Sequence, residues 1–444
     1  MKRAVVVVSW TVLAALTWGC SKKADEAVLR PIGEPTAILA GPPEYVGTKV
    51  CAECHEAQYE KWLGSHHDLA MQRATEEAVL GDFDDAKVRY YEETARFLRD
   101  GDAFVIEALG ADGKRALFPV IYTFGVEPLQ QYLVEVAPGR LQSFPFAWDT
   151  REEEQGGQRW FHLQPEEYIE PGDPLHWTGP SYNWNFACAD CHSTAVKKNY
   201  DRATKTYSTD YFEIDVGCEA CHGRGSRHTE LAEAEEPLPA GAGFAQRFPT
   251  LAQRVWTFEE GRSIASLSTG KSNEPESCAP CHSRRADLGG DPGRYHDRYR
   301  LAALDELLYF DDGQIQDEVY VYGSFLQSKM HAAGVVCSDC HDAHSGDLRA
   351  EGNALCARCH HSGVYDTPEH HFHDVATEGS LCTDCHMPQR TYMVIDDRAD
   401  HRFGLPRPGL SAAIGSPDAC TGCHRGKTAQ WAERQIDKHF DKRS

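Results

Sequence analysis

Eight copies of Cys-x-x-Cys-His punctuate the chain, beginning at Cys51, Cys188, Cys218, Cys278, Cys337, Cys356, Cys382 and Cys420. On a helical turn the two thiols, three residues apart, share a face with the imidazole at the fourth position. Such a unit can bond the two vinyl groups of one porphyrin and present nitrogen to its iron, the pattern of c-type haem attachment. About 0.03 copies are expected by chance at this Cys and His content. Structural zinc needs no His directly after every second Cys, and disulfides impose no fixed two-residue gap. The eight motifs use sixteen of the seventeen cysteines: Cys51, Cys54, Cys188, Cys191, Cys218, Cys221, Cys278, Cys281, Cys337, Cys340, Cys356, Cys359, Cys382, Cys385, Cys420 and Cys423. The reading is eight covalently attached haem c groups, with iron bound by His55, His192, His222, His282, His341, His360, His386 and His424.

The opposite face of each iron decides between electron transfer and chemistry, because two imidazoles fill the iron and an open position admits substrate. Fourteen further histidines and few methionines are available. By local pattern the favoured second ligands are His66 or His67, His228, His331, His344, His371 and His401. His371 stands for the cluster His370-His371-Phe372-His373, while His162, His176, His296, His361 and His439 are weaker candidates. This leaves about two irons without an assigned partner, and no catalytic residue is assigned.

The spacing of the motifs sets the domain plan. The second begins 137 residues after the first, and the next six follow at intervals of 30, 60, 59, 19, 26 and 38. Residues 44–84 form a first haem segment, 85–165 a haem-free β-rich insertion and 166–444 a seven-haem region. In the insertion Asp100-Gly101, Asp112-Gly113 and Pro138-Gly139 separate β-prone runs and predict hairpins. Pro119 argues for an edge strand or a bulge in its run. The fold expected is short α-helices and irregular loops packed around haems, plus a small antiparallel sheet. Helical spacing of Trp431, Ile436 and Phe440 predicts a last helix over 428–440.

Lys2 and Arg3 followed by the apolar run 4–16 read as an export signal over 1–19, too short to span a bilayer. Gly19-Cys20-Ser21 resembles a lipoprotein cleavage site, although Thr17 stands where Leu is usual. Cys20 would then carry lipid and 20–43, with four prolines, would be a tether. The expected location is the periplasm or outer membrane. A net charge of −23 disfavours nucleic acid and suits cationic or neutral partners. The partners expected are periplasmic or membrane-bound redox proteins, the membrane itself through the anchor, and on the enzyme reading a small substrate.

Several stretches resemble known families. Tyr45-Val-Gly-Thr-Lys-Val-Cys-Ala-Glu-Cys-His with Ser65-His-His resembles the start of the cytochrome c-552/4 superfamily, which includes tetrahaem carriers of hydroxylamine oxidation. Cys218-Glu-Ala-Cys-His-Gly-Arg-Gly-Ser-Arg-His228 is similar to a motif of that superfamily, which implies that His228 ligates a neighbouring haem. Segments around His331 and Cys382 resemble pentahaem nitrite reductases and octahaem hydroxylamine oxidoreductases. The whole chain most resembles bacterial multihaem cytochromes often fused to tetratricopeptide repeats, through 122–134, 154–163 and 317–325. No Cys-x-x-Cys-Lys motif occurs, so the lysine-ligated catalytic haem of the nitrite reductases has no counterpart. Tyr320 and Tyr322 are within reach of no haem that sequence can assign. The resemblance implies an electron-transferring multihaem protein, or alternatively a redox enzyme acting on a small nitrogen or sulfur compound at one five-coordinate haem.

Overall fold

The computed structural model describes residues 42–234, 241–290, 294–302 and 304–440. The export signal, Cys20 and nearly all of the 20–43 tether lie outside the described residues. No helix among them is long and apolar enough to cross a membrane.

Alternating residues build the first half into a sheet. Strands β1 (Met71–Arg73), β2 (Ala86–Tyr90), β3 (Glu93–Asp100), β4 (Ala103–Leu109), β5 (Arg115–Phe124), β6 (Leu129–Ala137), β7 (Arg140–Ser143), β8 (Phe146–Asp149) and β9 (Arg159–His162) form one antiparallel sheet. Its main order is β2-β3-β4-β5-β6-β8-β9, with β1 on β5 and β7 on β6. The three predicted hairpins are present, closing at Asp100/Ala103, Leu109/Arg115 and Ala137/Arg140. Gly139 sits at φ +72°, and a Cβ there would stand 2.1 Å from the Tyr207 carbonyl oxygen. Only glycine fits such a turn at no steric cost.

The sheet is larger than expected. It recruits β1 from the first haem segment, and its core extends to Trp177. One face buries an aromatic cluster of Phe83, Phe97, Phe104, Phe144, Trp148 and Trp160. Phe97 stacks on Trp160 at 3.6 Å, and Phe83 meets four other rings edge-on. Pro119 lies in a central strand, and the register shifts between Val120 and Tyr122. That bulge has a consequence for the site. Residues two apart on a regular strand share a face, yet Val120 packs in the aromatic cluster while Tyr122 and Phe124 pack on the other side with Trp184, Cys188 and Ala189. The extra residue turns the end of β5 toward the second haem motif.

Beyond the sheet the chain runs as short helices and two-stranded ribbons, with a terminal helix at Ala429–Phe440. Residues from Pro43 onward form one compact unit.

Candidate haem-binding site

Every motif adopts a helical turn, for identifiable local reasons. The amide of the motif His bonds the carbonyl of its first Cys at 2.9 Å in His55, His341, His360 and His424, and at 3.2 Å in His192. Cys218–His222, Glu274–His282 and Cys382–His386 are helices outright. Nearby side chains satisfy the exposed amides at the turn starts. Asn183 accepts from Phe186 ahead of Cys188, Asn353 from Cys382, Thr48 from Cys218, and Asp418 from both Cys420 and Thr421.

Buried ions tie motifs together across long sequence separations. The Glu219 carboxylate, 3% exposed, accepts from the amides of Val46, Gly47 and Gly225 at 2.7–3.1 Å. Arg254, 5% exposed, holds Asp339 of the fifth motif with two bonds of 3.0 and 2.6 Å, and also donates to the Gly334 carbonyl.

All sixteen motif cysteines and all eight motif histidines line one continuous cavity of about 3950 Å³. That is about 490 Å³ per motif, within the roughly 300–1,000 Å³ of a single organic ligand site. The cavity lining and the paired thiols therefore suit haem. Among the described residues the one grouping that offers a metal three donors, Glu274 with Cys278 and Cys337, joins thiols of two different motifs. Its carboxylate already accepts from the Ser338 amide and hydroxyl.

Nine of the fourteen other histidines also line the cavity: His66, His67, His228, His344, His370, His371, His373, His401 and His439. Four face a motif imidazole. Ring centroids are 6.0 Å apart for His55/His228, 6.3 Å for His282/His67, 6.3 Å for His386/His370 and 5.9 Å for His424/His373. Two imidazoles bound to one metal at about 2 Å per bond would place their centroids roughly 6.3 Å apart. His344 lies close enough to His222 to lower the proton affinity of His222, and His341 close enough to His401 to lower that of His401. Burial, with neighbouring imidazoles second, lowers His222 and His282 to about 4. Both rings are thus neutral at pH 7, the form that binds metal. Several rings are also aimed by a bond from Nδ1 to a backbone carbonyl. His228 donates to Ala242 at 2.8 Å, His386 to Gly404 at 2.9 Å, His401 to Ala399 at 3.0 Å and His373 to His371 at 2.6 Å. Such bonds leave Nε2 for a metal.

The structure departs from the sequence expectation at two places. Within the 370–373 cluster it is His370 and His373 that face motif imidazoles; the favoured His371 is buried, with Nε2 3.8 Å from an Asp366 oxygen. His331 does not line the cavity and packs on Phe325. Tyr320, to which sequence could assign no haem, lines the cavity close enough to Cys188 and Cys191 to feel their charge. Of the weaker candidates only His439 reaches the cavity. His162 stacks on Tyr90 at 3.6 Å and accepts from the Gln164 amide, and His176 bonds Thr178. No local signal separates His370 from His371, because adjacent helical positions differ only in direction, which packing decides.

Thiols of different motifs meet in a definite order. Cys51 neighbours Cys218, Cys191 neighbours Cys281, Cys278 neighbours Cys337, and Cys356 neighbours Cys382. Cys221 lies near Cys278, Cys340 near Cys359, and Cys385 near Cys423.

Comparison with known proteins agrees with this geometry. The family model for cytochrome c554 and c-prime matches residues 50–93 and 175–223, the first three motifs and their surroundings. The crystal structure of the outer cell wall cytochrome OcwA superposes with a TM-score of 0.57 at 18% identity, covering 89% of this chain and 86% of that one. The chain has a cytochrome fold. An undecahaem cytochrome from the S-layer of Carboxydothermus ferrireducens aligns with a TM-score of 0.45 at 18% identity, over 91% of this chain and 61% of that one. No curated protein sequence matches significantly. Covalent haem c is the cofactor these residues carry.

Proposed function

We propose that this protein is an exported octahaem cytochrome that conducts electrons along a path fixed by its motif contacts. Bound at the eight motifs, haem c supplies a one-electron iron couple at each. The observation that carries the reading is the chain of meeting thiols. Naming motifs by their first cysteine, the order is 51–218–278–337–356–382–420, with 188 joined at 278. It follows the sequence except at 188, which branches from 278. Sixteen cysteines hold the cofactors, the eight motif histidines ligate, and His67, His228, His344, His370, His373 and His401 close the opposite faces. Two imidazoles on one iron suit outer-sphere transfer, and these six would give it to six of the eight. Placement in the cell envelope rests on the signal-like start of the sequence and on the fold shared with a cell wall cytochrome. The partners on this reading are redox proteins of that compartment.

The test is intact mass together with a redox titration. The expected mass exceeds the processed polypeptide by eight haems, and nearly all the iron is low-spin. Four haems per chain, or zinc in proportion to cysteine, refutes the reading.

One observation favours a second reading, a redox enzyme with an accessible haem at Cys188–His192. His192 makes no ring contact with a second imidazole among the described residues; its ring rests on Phe124, and Nδ1 lies 3.4 Å from the Ala70 carbonyl. Tyr320 stands nearby with a backbone φ of +60°, and such strain in a bulky residue often accompanies function. Cyanide, nitrite or hydroxylamine would then perturb the spectrum of one haem in eight. A spectrum indifferent to all three leaves electron transfer alone.

A further inference from the structure

The ends of the proposed path differ in charge. At the 51 motif, Cys54 and His55 are exposed among the exposed carboxylates Glu53, Glu56 and Glu60. The cations there are Lys61, tied to Asp342 at 2.7 Å, and the exposed Lys49. At the 420 motif, Cys423 is exposed beside the exposed cations Arg425, Lys427, Arg434 and Lys438. None of these four joins an ion pair among the described residues. Arg434 and Lys438 sit one turn apart on the terminal helix, so they share a face. Lys427 lies 5.6 Å from the Trp431 ring, which lies 5.0 Å from the His424 ring. The one carboxylate on that helix facing inward, Glu433, accepts from the Gly409 amide at 2.7 Å, and Asp437 is the single exposed acid. A basic stripe of this kind is unexpected in a chain of net charge −23.

We propose that the Cys420–His424 end is a docking face for an acidic redox protein. This rests on the conducting path described above. The stripe follows a helix of twelve residues, about 18 Å long, which is longer than a small anion needs and matches a patch on a protein surface. Opposite charge at such a patch steers encounter and fixes orientation. The acidic end repels the same partner, so electrons enter and leave at different ends.

The experiment uses the haem-loaded chain, reduced and mixed in stopped flow with hexacyanoferrate(III). Each hexacyanoferrate(III) takes one electron and becomes hexacyanoferrate(II), while one ferrous haem becomes ferric; no proton or bond moves. The variant K427E/R434E/K438E should be oxidised about tenfold more slowly at low ionic strength, and the difference should collapse once the Debye length falls to about 3 Å. Poly-L-glutamate, a macromolecular acid, should slow the native protein and leave the variant unaffected. The milder K427Q/R434Q/K438Q should fall between, and serves if the reversal impairs folding. Equal rates for native and both variants overturn the proposal. Charge-sensitive rates without competition by polyglutamate overturn it in favour of small anions. Salt-sensitive self-association of the native chain, lost in the variant, overturns it in favour of a second copy. Failure of the conducting path has its own signature: only part of the eight-haem amplitude responds to hexacyanoferrate.

Discussion

Glu219 is the sharpest point at which to test how the first haem segment is held. The residue lies in the 218 motif, 173 positions from Val46 in the distant segment it binds. Its carboxylate accepts amide protons from Val46 at 3.1 and 3.0 Å, Gly47 at 2.7 Å and Gly225 at 2.7 Å, with no cation among these partners. Glu219→Ala strips three backbone donors of their acceptor. A hydrogen bond to a charged group contributes about 1.5–3 kcal/mol net, so three set a ceiling of roughly 4.5–9 kcal/mol. Two factors lower it. Val46 and Gly47 are only part-buried at these bonds, so water can replace some of the lost acceptor, and removing the carboxylate also removes its own burial cost. The expected cost is about 3–4 kcal/mol, borne locally, which corresponds to a rise of over a hundredfold in the opening of residues 44–60. Native-state hydrogen exchange read by mass spectrometry measures it, with the sheet as internal reference. Glu219→Gln keeps a neutral acceptor and should lose about half as much. Exchange of 44–60 within threefold of the native rate would refute the clamp. Acceleration equal to that of the sheet would show global rather than local destabilisation.

Other outcomes follow from the same geometry. Arg254→Met strands the buried Asp339 carboxylate and should destabilise the chain by about 3–5 kcal/mol, seen as a lower denaturation midpoint; a loss under about 1 kcal/mol would contradict the buried pairing. His370→Ala and His373→Ala should each convert one haem to high spin by electron paramagnetic resonance, whereas His371→Ala should convert none; conversion by His371→Ala alone would reverse the assignment. His162 should make the sheet acid-sensitive. Burial lowers its proton affinity to about 4, against about 6.5 when unfolded. The unfolded chain therefore binds the proton first, and stability falls as pH drops from about 6.5 to 4, by at most roughly 3 kcal/mol. His162→Phe should flatten that slope in tryptophan-monitored unfolding, and an unchanged slope would assign the acid sensitivity elsewhere.

The division between what could be read and what could not follows from the range of each interaction. Haem attachment was legible because its chemistry is local: two thiols and an imidazole must fall on one helical turn, so the spacing alone carries the information. Hairpins at Gly101, Gly113 and Gly139 were legible for the same reason, since turn residues act within four positions. The bulge beside Pro119 was anticipated as one of two outcomes, but the turning of Phe124 toward His192 was not, because it depends on which face each neighbouring strand buries. His228 was named from its motif, whereas His370 and His373 were selected over His371 only by packing. Tyr320 reached Cys188 and Cys191 across some 130 residues, a distance that no local pattern encodes. That 51 meets 218 directly while 188 branches from 278 is likewise invisible in the chain. Glu219 holds the segment of Val46 and Gly47, and Arg254 holds Asp339, through buried charges, and a buried charge finds its partner in space rather than in sequence. The sequence by itself therefore determined the class of cofactor and laid out eight motifs of the type that attaches it, and the tertiary structure alone decided which motifs are neighbours and which imidazoles face them.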